Sequence, residues 1–191
     1  MVDSSWQDEL TRPLRTLQIV VGALVAGTVV FLGIVLALGP GAPQQQGAGG
    51  FSMTNVAMVF VVAVLIVRAI VPGAITAAGR RKIADGTWTL PPAQSGPGWM
   101  PEFLKRTGDA GKLTCVFMTR TIVAGALIEG ATFFMLIAHM LEQTPLSLIV
   151  AAVLIAGLLL HVPTRARLIG WIEDQLVQIE QQRQLTGTGM R

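Results

Sequence analysis

Residues 121–162 read TIVAGALIEGATFFMLIAHMLEQTPLSLIVAAVLIAGLLLHV, two long apolar runs joined by the short polar turn EQTP. The runs cover residues 121–141 and 146–162. As helices they would be about 25 to 32 Å long, close to the hydrocarbon core of a bilayer at about 30 Å. Because the turn is so short, the two helices would pack side by side. The stretch therefore predicts a membrane-spanning helical hairpin.

Two further apolar runs, residues 17–38 and 53–71, form a second predicted hairpin around the Gly-, Pro- and Gln-rich loop 39–52. The chain is 52% hydrophobic and only 13% charged, a composition typical of membrane proteins. Strands of a β-barrel would alternate in polarity, which these runs do not do. The predicted fold class is all-α, an integral membrane four-helix bundle.

The two hairpins resemble each other in sequence. RTLQIVVGALVAGTVVF from Arg15 matches RTIVAGALIEGATFF from Arg120, and AVLI occurs at both Ala63 and Ala152. Two copies in the same orientation predict a duplicated hairpin, related by an axis along the membrane normal.

Lys and Arg residues lie on one side of the predicted spans. Apart from Arg68, inside the second span, they occur in residues 1–16, 72–120 and 163–191, and none occurs in the connections 39–52 and 142–145. Cytoplasmic segments accumulate these residues, so we expect an inner-membrane protein with both termini in the cytoplasm. The basic residues form no stripe with aromatic residues, which argues against nucleic acid as a partner.

The segment 72–120 is predicted to be a cytoplasmic loop with an irregular middle, GTWTLPPAQSGPGWMP. A short helix is expected after Pro72, and Asp109 is expected to cap a helix that runs into the third span. Trp88 and Trp99 suit the headgroup region of the membrane, where an indole ring is wetted at one end.

The C-terminal segment, residues 163–191, has apolar residues at helical spacing. They are Leu168, Ile172, Leu176 and Ile179. This pattern predicts an amphipathic helix. It would either lie on the inner membrane surface, with Arg165, Arg167 and Trp171 at headgroup depth, or pack on the segment 72–120. Binding of a partner is a further interpretation.

Glu129 is the main candidate for chemistry, because a carboxylate inside a span must be protonated, paired or wetted. Arg68, near the inner end of the second span, is the candidate ion-pair partner. If the two pair, they clamp two helices together. If they do not, Glu129 is a candidate site for binding a proton or an ion. A hydrogen-bonded packing role is equally open.

Small residues in the first and third spans are predicted to let helices approach closely. They are Gly22, Ala26, Gly27, Gly125, Ala126 and Gly130. His139 and His161 are interpreted as packing residues. No nucleophile elbow, Gly-rich phosphate loop or metal-ligand spacing is present, so no enzyme activity, cofactor or metal site is expected. The single cysteine, Cys115, excludes a disulfide within the chain.

The motif A-L-x-E-G-x-x-F-F at residues 126–134 resembles a group of small bacterial four-helix membrane proteins, a resemblance that implies no particular activity. One helix also resembles, distantly, that of the proteolipid c subunit of rotary ATPases. There a mid-membrane carboxylate binds the ion, and Glu129 would take that place. The loop 72–120 is longer than in that family, and the second span lacks its glycine ladder.

These patterns predict a structural or partner-binding membrane component that contacts the lipid bilayer and either a second copy of itself or another membrane protein. The alternative is a proton- or ion-binding membrane protein that uses Glu129.

Overall fold

The computed structural model describes residues 4–39, 52–90 and 98–188. In these ranges the chain is helical and has no strand, which confirms the predicted all-α class. A short 3-10 segment, Ser4–Leu10, is followed by five helices: α1 Thr11–Ala37, α2 Met53–Ala84, α3 Met100–Glu142, α4 Pro145–Leu159 and α5 Arg165–Thr188. Residues 40–51 of the predicted external loop and residues 91–97 lie outside the described ranges.

Three of the helices, α1, α2 and α3, are long and apolar enough to cross a membrane. The fourth, α4, is apolar but has only 15 residues, or about 22 Å. The predicted span 146–162 extended to Val162, whereas the helix ends at Leu159. The next residues form a tight turn in which the Leu160 amide donates to Ala156 O at 3.0 Å and the His161 amide to Leu158 O at 3.1 Å.

The chain divides into two compact units. The apolar unit comprises Gln18–Val71 and Ile122–Val162, and the polar unit comprises Met1–Leu17, Pro72–Thr121 and Pro163–Arg191. Of the 14 Lys and Arg and 11 Asp and Glu residues, only Arg68, Glu129 and Glu142 belong to the apolar unit. The division therefore separates the apolar runs from the segments that flank them.

The apolar unit has a core to which all four of its helical segments contribute. The buried members are Val35, Ala57, Val61, Val64, Ile128, Ala131, Met135, Leu136, Ala138, Ala151, Leu154 and Leu158. Two edge-to-face aromatic pairs strengthen it, with ring centroids 5.1 Å apart for Phe31 and Phe133 and 5.0 Å apart for Phe60 and Phe134. These pairs join α1 and α2 to α3.

The polar unit has a separate core. Its buried side chains include Leu10, Leu17, Ile83, Phe103, Leu113, Phe117, Leu168, Ile172 and Ile179. Three of the four periodic residues of α5 are thus buried, and Leu176 is half-buried. The apolar face of α5 is covered by other parts of this unit, so of the two placements that the sequence left open, packing on the segment 72–120 is the one observed.

Most of the segment that the sequence predicted to be a loop is helical. Residues 72–84 are helical, as predicted for the segment after Pro72, but they form no separate short helix: α2 continues from the second apolar run through Pro72 to Ala84. A proline inside a helix costs about 3 kcal/mol, which packing of the following turns offsets. At Gly79, a Cβ atom would lie 2.6 and 3.0 Å from the two methyl groups of Val116, so glycine is what lets α2 and α3 approach here.

Helix α3 consists of two helical pieces joined at Gly108. This residue has φ 56° and ψ −125°, a conformation that glycine adopts without steric cost. The second piece starts after Gly108, at the place where Asp109 was predicted to cap a helix, but the Asp109 carboxylate accepts from the side chains of Lys112 and Arg183. The first piece, which starts at Met100, was not predicted. The Trp-Met-Pro sequence was interpreted as irregular, whereas a proline at Pro101 is compatible with the first turn of a helix.

Candidate functional site

The charged residues of the apolar unit occupy three separate places. Glu129 lies within the apolar run of α3, Arg68 lies near the C-terminal end of the apolar part of α2, and Glu142 is the last residue of α3. Each must be explained, because a charge placed in an apolar region is stable only if it is paired, hydrogen-bonded or wetted.

Glu129 lies beside Gly27 of α1. Its Oε1 atom is 3.4 Å from the position that a Cβ atom of residue 27 would occupy, so the glycine makes room for the carboxyl group. The side chain is half-buried, and it forms no hydrogen bond or ion pair with any residue in the described ranges. The carboxyl group of Glu129 thus has no fixed counter-charge in the described part of the chain.

Arg68 does not pair with Glu129. Its Nη2 atom instead donates to Nδ1 of His161, at 3.4 Å, and its Nε atom is buried without a hydrogen-bond partner in the described part of the chain. The two charged residues differ in depth, since Arg68 is about 5 Å from the end of its apolar run and Glu129 about 12 Å from the start of its own. Of the alternatives that the sequence left open, the clamp between Arg68 and Glu129 is therefore not formed.

Glu142 is the best-connected charged residue of the apolar unit, and the sequence analysis missed it. Its carboxylate accepts hydrogen bonds from Ser52 Oγ at 2.8 Å, from the Thr54 amide at 2.9 Å and from the Met53 amide. The first amides of a helix have no partner within the helix, and a negative charge there is favourable. Glu142 of α3 therefore caps the N-terminus of α2.

The cap continues into the turn between α3 and α4. Thr54 and Thr144 share a hydrogen bond at 2.7 Å between their hydroxyl oxygens, and Thr144 Oγ1 is 3.1 Å from Ser147 Oγ. His139 Nδ1 lies 3.0 Å from Thr144 O, and because a carbonyl oxygen only accepts, the ring proton belongs on Nδ1 in this contact. A polar network thus joins three helices at one end of the apolar unit.

The predicted small packing residues fall into two groups. Gly27 contacts Glu129, and Gly125 is buried, with Leu24 at 3.2 Å and Leu158 at 3.7 Å from the position of its Cβ. The other four are exposed in a single chain: Gly22, Ala26, Ala126 and Gly130. Gly27 and Gly125 are therefore the members of this set that mediate close packing inside the apolar unit.

In the polar unit, charged side chains tie α5 to α2 and α3. Arg183 donates to Asp109 Oδ2 at 2.7 Å and to Ile83 O at 3.2 Å, and Arg80 donates to Gln178. Burial raises the pKa of Asp109, but hydrogen bonds from Lys112 and Arg183 outweigh this effect, so that its pKa lies below the ordinary value. The Asp109 carboxylate is therefore charged at neutral pH and holds α5 in place.

The predicted membrane-interface residues take part in this packing. The Trp171 ring is 5.2 Å from that of Phe117, with the Arg120 guanidinium 5.5 Å from the indole centroid. Trp99 packs edge-on against Phe103 at 5.7 Å. The remaining three, Trp88, Arg165 and Arg167, are half-buried or exposed. Trp171 and Trp99 thus have protein partners, which the sequence pattern alone does not reveal.

Cys115 is buried in the polar unit beside Met100, with 3.8 Å between the sulfur atoms. Burial raises the pKa of its thiol to about 11. The thiol is therefore protonated and unreactive at neutral pH. Among the described residues, no group of three or more His, Cys, Asp or Glu side chains is placed to hold a metal ion.

No protein-family model, curated protein or solved structure matches the chain. Inference about its function therefore rests on the geometry of its own residues, and the resemblances noted from the sequence stay predictions.

Proposed function

We propose that the chain is a multi-pass inner-membrane protein whose polar unit binds a partner on the cytoplasmic side. In this proposal the four apolar segments form a membrane bundle, a duplicated hairpin, and both termini lie in the cytoplasm. The three long apolar helices and the one-sided distribution of Lys and Arg support this arrangement.

The observation that carries the proposal is the separate core of the polar unit. Segments that merely connect membrane spans need no core of their own, since loops are ordinarily exposed and variable. Here three segments that are distant in sequence bury large side chains such as Leu10, Leu113 and Ile172 against one another. Such a unit presents a fixed surface, which lowers the entropic cost of binding a partner.

The exposed side of α5 is the part of this surface that we expect to contact the partner. Val177 is 53% exposed and Leu185 is 79% exposed, although both are large and apolar. A groove of about 370 Å³ lies next to Val177, and Leu176, Ile179 and Arg183 also line it. Apolar side chains beside a groove are typical of protein-binding surfaces.

The test is photo-cross-linking in cells, with p-benzoylphenylalanine in place of Val177 or Leu185. We expect a discrete protein adduct from both positions. The matched control is Val153, a valine of α4 that is 65% exposed in the apolar unit and should face lipid. An adduct of twice the mass of the chain would identify the partner as a second copy. Absence of any protein adduct at both α5 positions, or the same adducts at Val153, would contradict the proposal.

A second candidate function, proton or ion binding, is favoured by one specific observation. The Glu129 carboxyl group has no polar partner in the described residues and lies against a glycine of the neighbouring helix. An intramembrane carboxyl group without a fixed counter-charge is able to take up and release a proton, provided that water reaches it.

For this candidate we expect the infrared carboxyl band of Glu129 to titrate within the pH range that cells experience, with the protein in bilayers. The band should be absent from Glu129→Gln and retained in the control Asp174→Asn, which alters an exposed carboxylate of α5. A Glu129 band that does not change with pH would exclude proton coupling at this residue.

A further inference from the structure

The guanidinium of Arg68 carries a positive charge that the described residues do not neutralise. No carboxylate in residues 4–39, 52–90 or 98–188 forms an ion pair with it, and its hydrogen-bond acceptor is Nδ1 of His161, at the long distance of 3.4 Å. Arginine has five N–H donors, so at least four of them have no protein acceptor in the described ranges. Such a charge at the end of an apolar run requires an anion or water.

The neighbouring histidine does not supply a counter-charge. Arginine has no acceptor atom, so in this contact Arg68 donates and His161 Nδ1 accepts. The contact therefore occupies one N–H group of Arg68 and leaves its positive charge without an anionic partner in the described ranges.

The two residues come from different segments of the apolar unit, and each lies near the end of its segment. Arg68 is three residues from Val71, and His161 precedes Val162, the last residue of its segment. Both are half-buried, and Nε of Arg68 is buried without a hydrogen-bond partner in the described part of the chain. An acceptor that approaches from outside therefore reaches the Nη end of the guanidinium.

We propose that Arg68 binds a phosphate group at this end of the apolar unit. Phosphate oxygens are acceptors with negative charge, and the planar guanidinium matches them in geometry and charge. Two sources supply this group: the headgroup of an anionic phospholipid and free phosphate. Basic pockets between membrane helices on the cytoplasmic side commonly hold lipid headgroups, and Arg68 lies at that depth if the apolar unit spans the membrane.

The experiment measures ligand-induced thermal stabilisation of the full chain in detergent. The probes are dioleoylphosphatidylglycerol, inorganic phosphate and, as a lipid without phosphate, dioleoylglycerol. For the wild type we expect saturable stabilisation by the phospholipid and none by dioleoylglycerol. For Arg68→Gln the apparent affinity should fall by about tenfold or more, because a hydrogen bond to a charged group is lost. The matched control, Arg167→Gln, removes the same charge from an exposed position and should bind as the wild type does.

The outcomes identify the source of the phosphate. If inorganic phosphate stabilises the wild type but not Arg68→Gln, the site binds free phosphate. If the phospholipid shows this difference between the two proteins and inorganic phosphate does not, the site binds a lipid headgroup. Equal responses of Arg68→Gln and Arg167→Gln would overturn the inference, because binding would then reflect general charge. If Arg68→Gln does not fold, Arg68→Lys is measured instead, because lysine keeps the positive charge but lacks the planar guanidinium. A phospholipid affinity several-fold below that of the wild type would support the site. An affinity equal to that of the wild type would overturn it.

This inference rests on the proposed membrane placement, which a separate measurement tests. The wild-type chain is expected to float with dioleoylphosphatidylcholine vesicles after alkaline extraction. Failure to float would overturn the membrane proposal. A chain that floats, but in which the Arg68 and Arg167 variants bind phospholipid equally, would overturn the phosphate site alone.

Discussion

Replacing Ile172 by alanine is expected to lower the stability of the polar unit by about 3 kcal/mol, within the usual range for such a truncation. Ile172 has no exposed surface and lies on the covered face of α5. Its truncation removes apolar burial and leaves a cavity that the rigid surroundings refill only in part. The lost stability affects α5, which contacts the segments of α2 and α3 that belong to the polar unit.

The measurement is native-state hydrogen exchange of the α5 amides in the full chain. A loss of about 3 kcal/mol should accelerate their exchange on the order of a hundredfold, if α5 opens as one cooperative piece. The matched control is Val177→Ala on the same helix, where the side chain is 53% exposed and the expected change is within about 0.5 kcal/mol. Similar exchange in the two variants would show that α5 does not depend on the polar core.

The prediction for Ile172 was accessible from the sequence because periodicity is a local signal. Apolar residues three and four positions apart give a helix one apolar face, and only the covering partner was left open. The structure supplies that partner. Elsewhere in the polar unit, local signals were incomplete. A separate short helix was predicted after Pro72, whereas α2 continues through this residue to Ala84, and its last turns pack in the unit with Gly79 against Val116.

For the candidate site, the sequence identified which residue types need explanation but not their partners. Glu129 and Arg68 are both unusual in apolar runs, and pairing of opposite charges is the simplest hypothesis. Their difference in depth along the helices argues against it, and the structure places Gly27 beside one and His161 beside the other. Partners from different helices depend on rotation and tilt, which apolar composition does not specify.

The repeat illustrates the same limit. Gly22 and Gly125 occupy matching positions in the two related sequences, but a Cβ on Gly22 would meet no neighbour within 4 Å, whereas one on Gly125 would meet Leu24 and Leu158. Equivalent residues therefore lie in different environments in the single chain. In the proposed membrane bundle, the exposed small residues of α1 would contact lipid or a second copy.

Glu142 was missed for two reasons. A carboxylate at the end of an apolar run is ordinary at a membrane surface, so its position attracts no notice. Its role also depends on a residue 90 positions away, Ser52. The signal that was present is the S-x-T sequence at the start of α2. Ser52 and Thr54 offer hydroxyl groups at a helix N-terminus, where the backbone amides also need acceptors. An acidic residue in the turn of the other hairpin is the natural acceptor.

Replacing Glu142 by alanine is therefore expected to release the N-terminus of α2, at a cost of about 2 kcal/mol. The variant leaves the amides of Met53 and Thr54 and the Ser52 hydroxyl without their acceptor. Loss of a helix cap costs about 1 kcal/mol, and hydrogen bonds to a charged group add to this. Glu142→Gln keeps one acceptor oxygen but not the charge, so about half of the loss is expected.

Hydrogen exchange at the amides of Met53 and Thr54 reports this release directly. A loss of about 2 kcal/mol corresponds to roughly thirtyfold faster exchange at these two amides in Glu142→Ala, with the α5 amides unchanged as an internal reference. The control Asp174→Asn removes an exposed carboxylate and should leave all of them as in the wild type. If Glu142→Ala leaves the two amides equally protected, the helix end is held by its own turn. The apolar core of the unit would then hold α2 against α3, and the hydrogen bonds of the Glu142 carboxylate would form as a result of that packing.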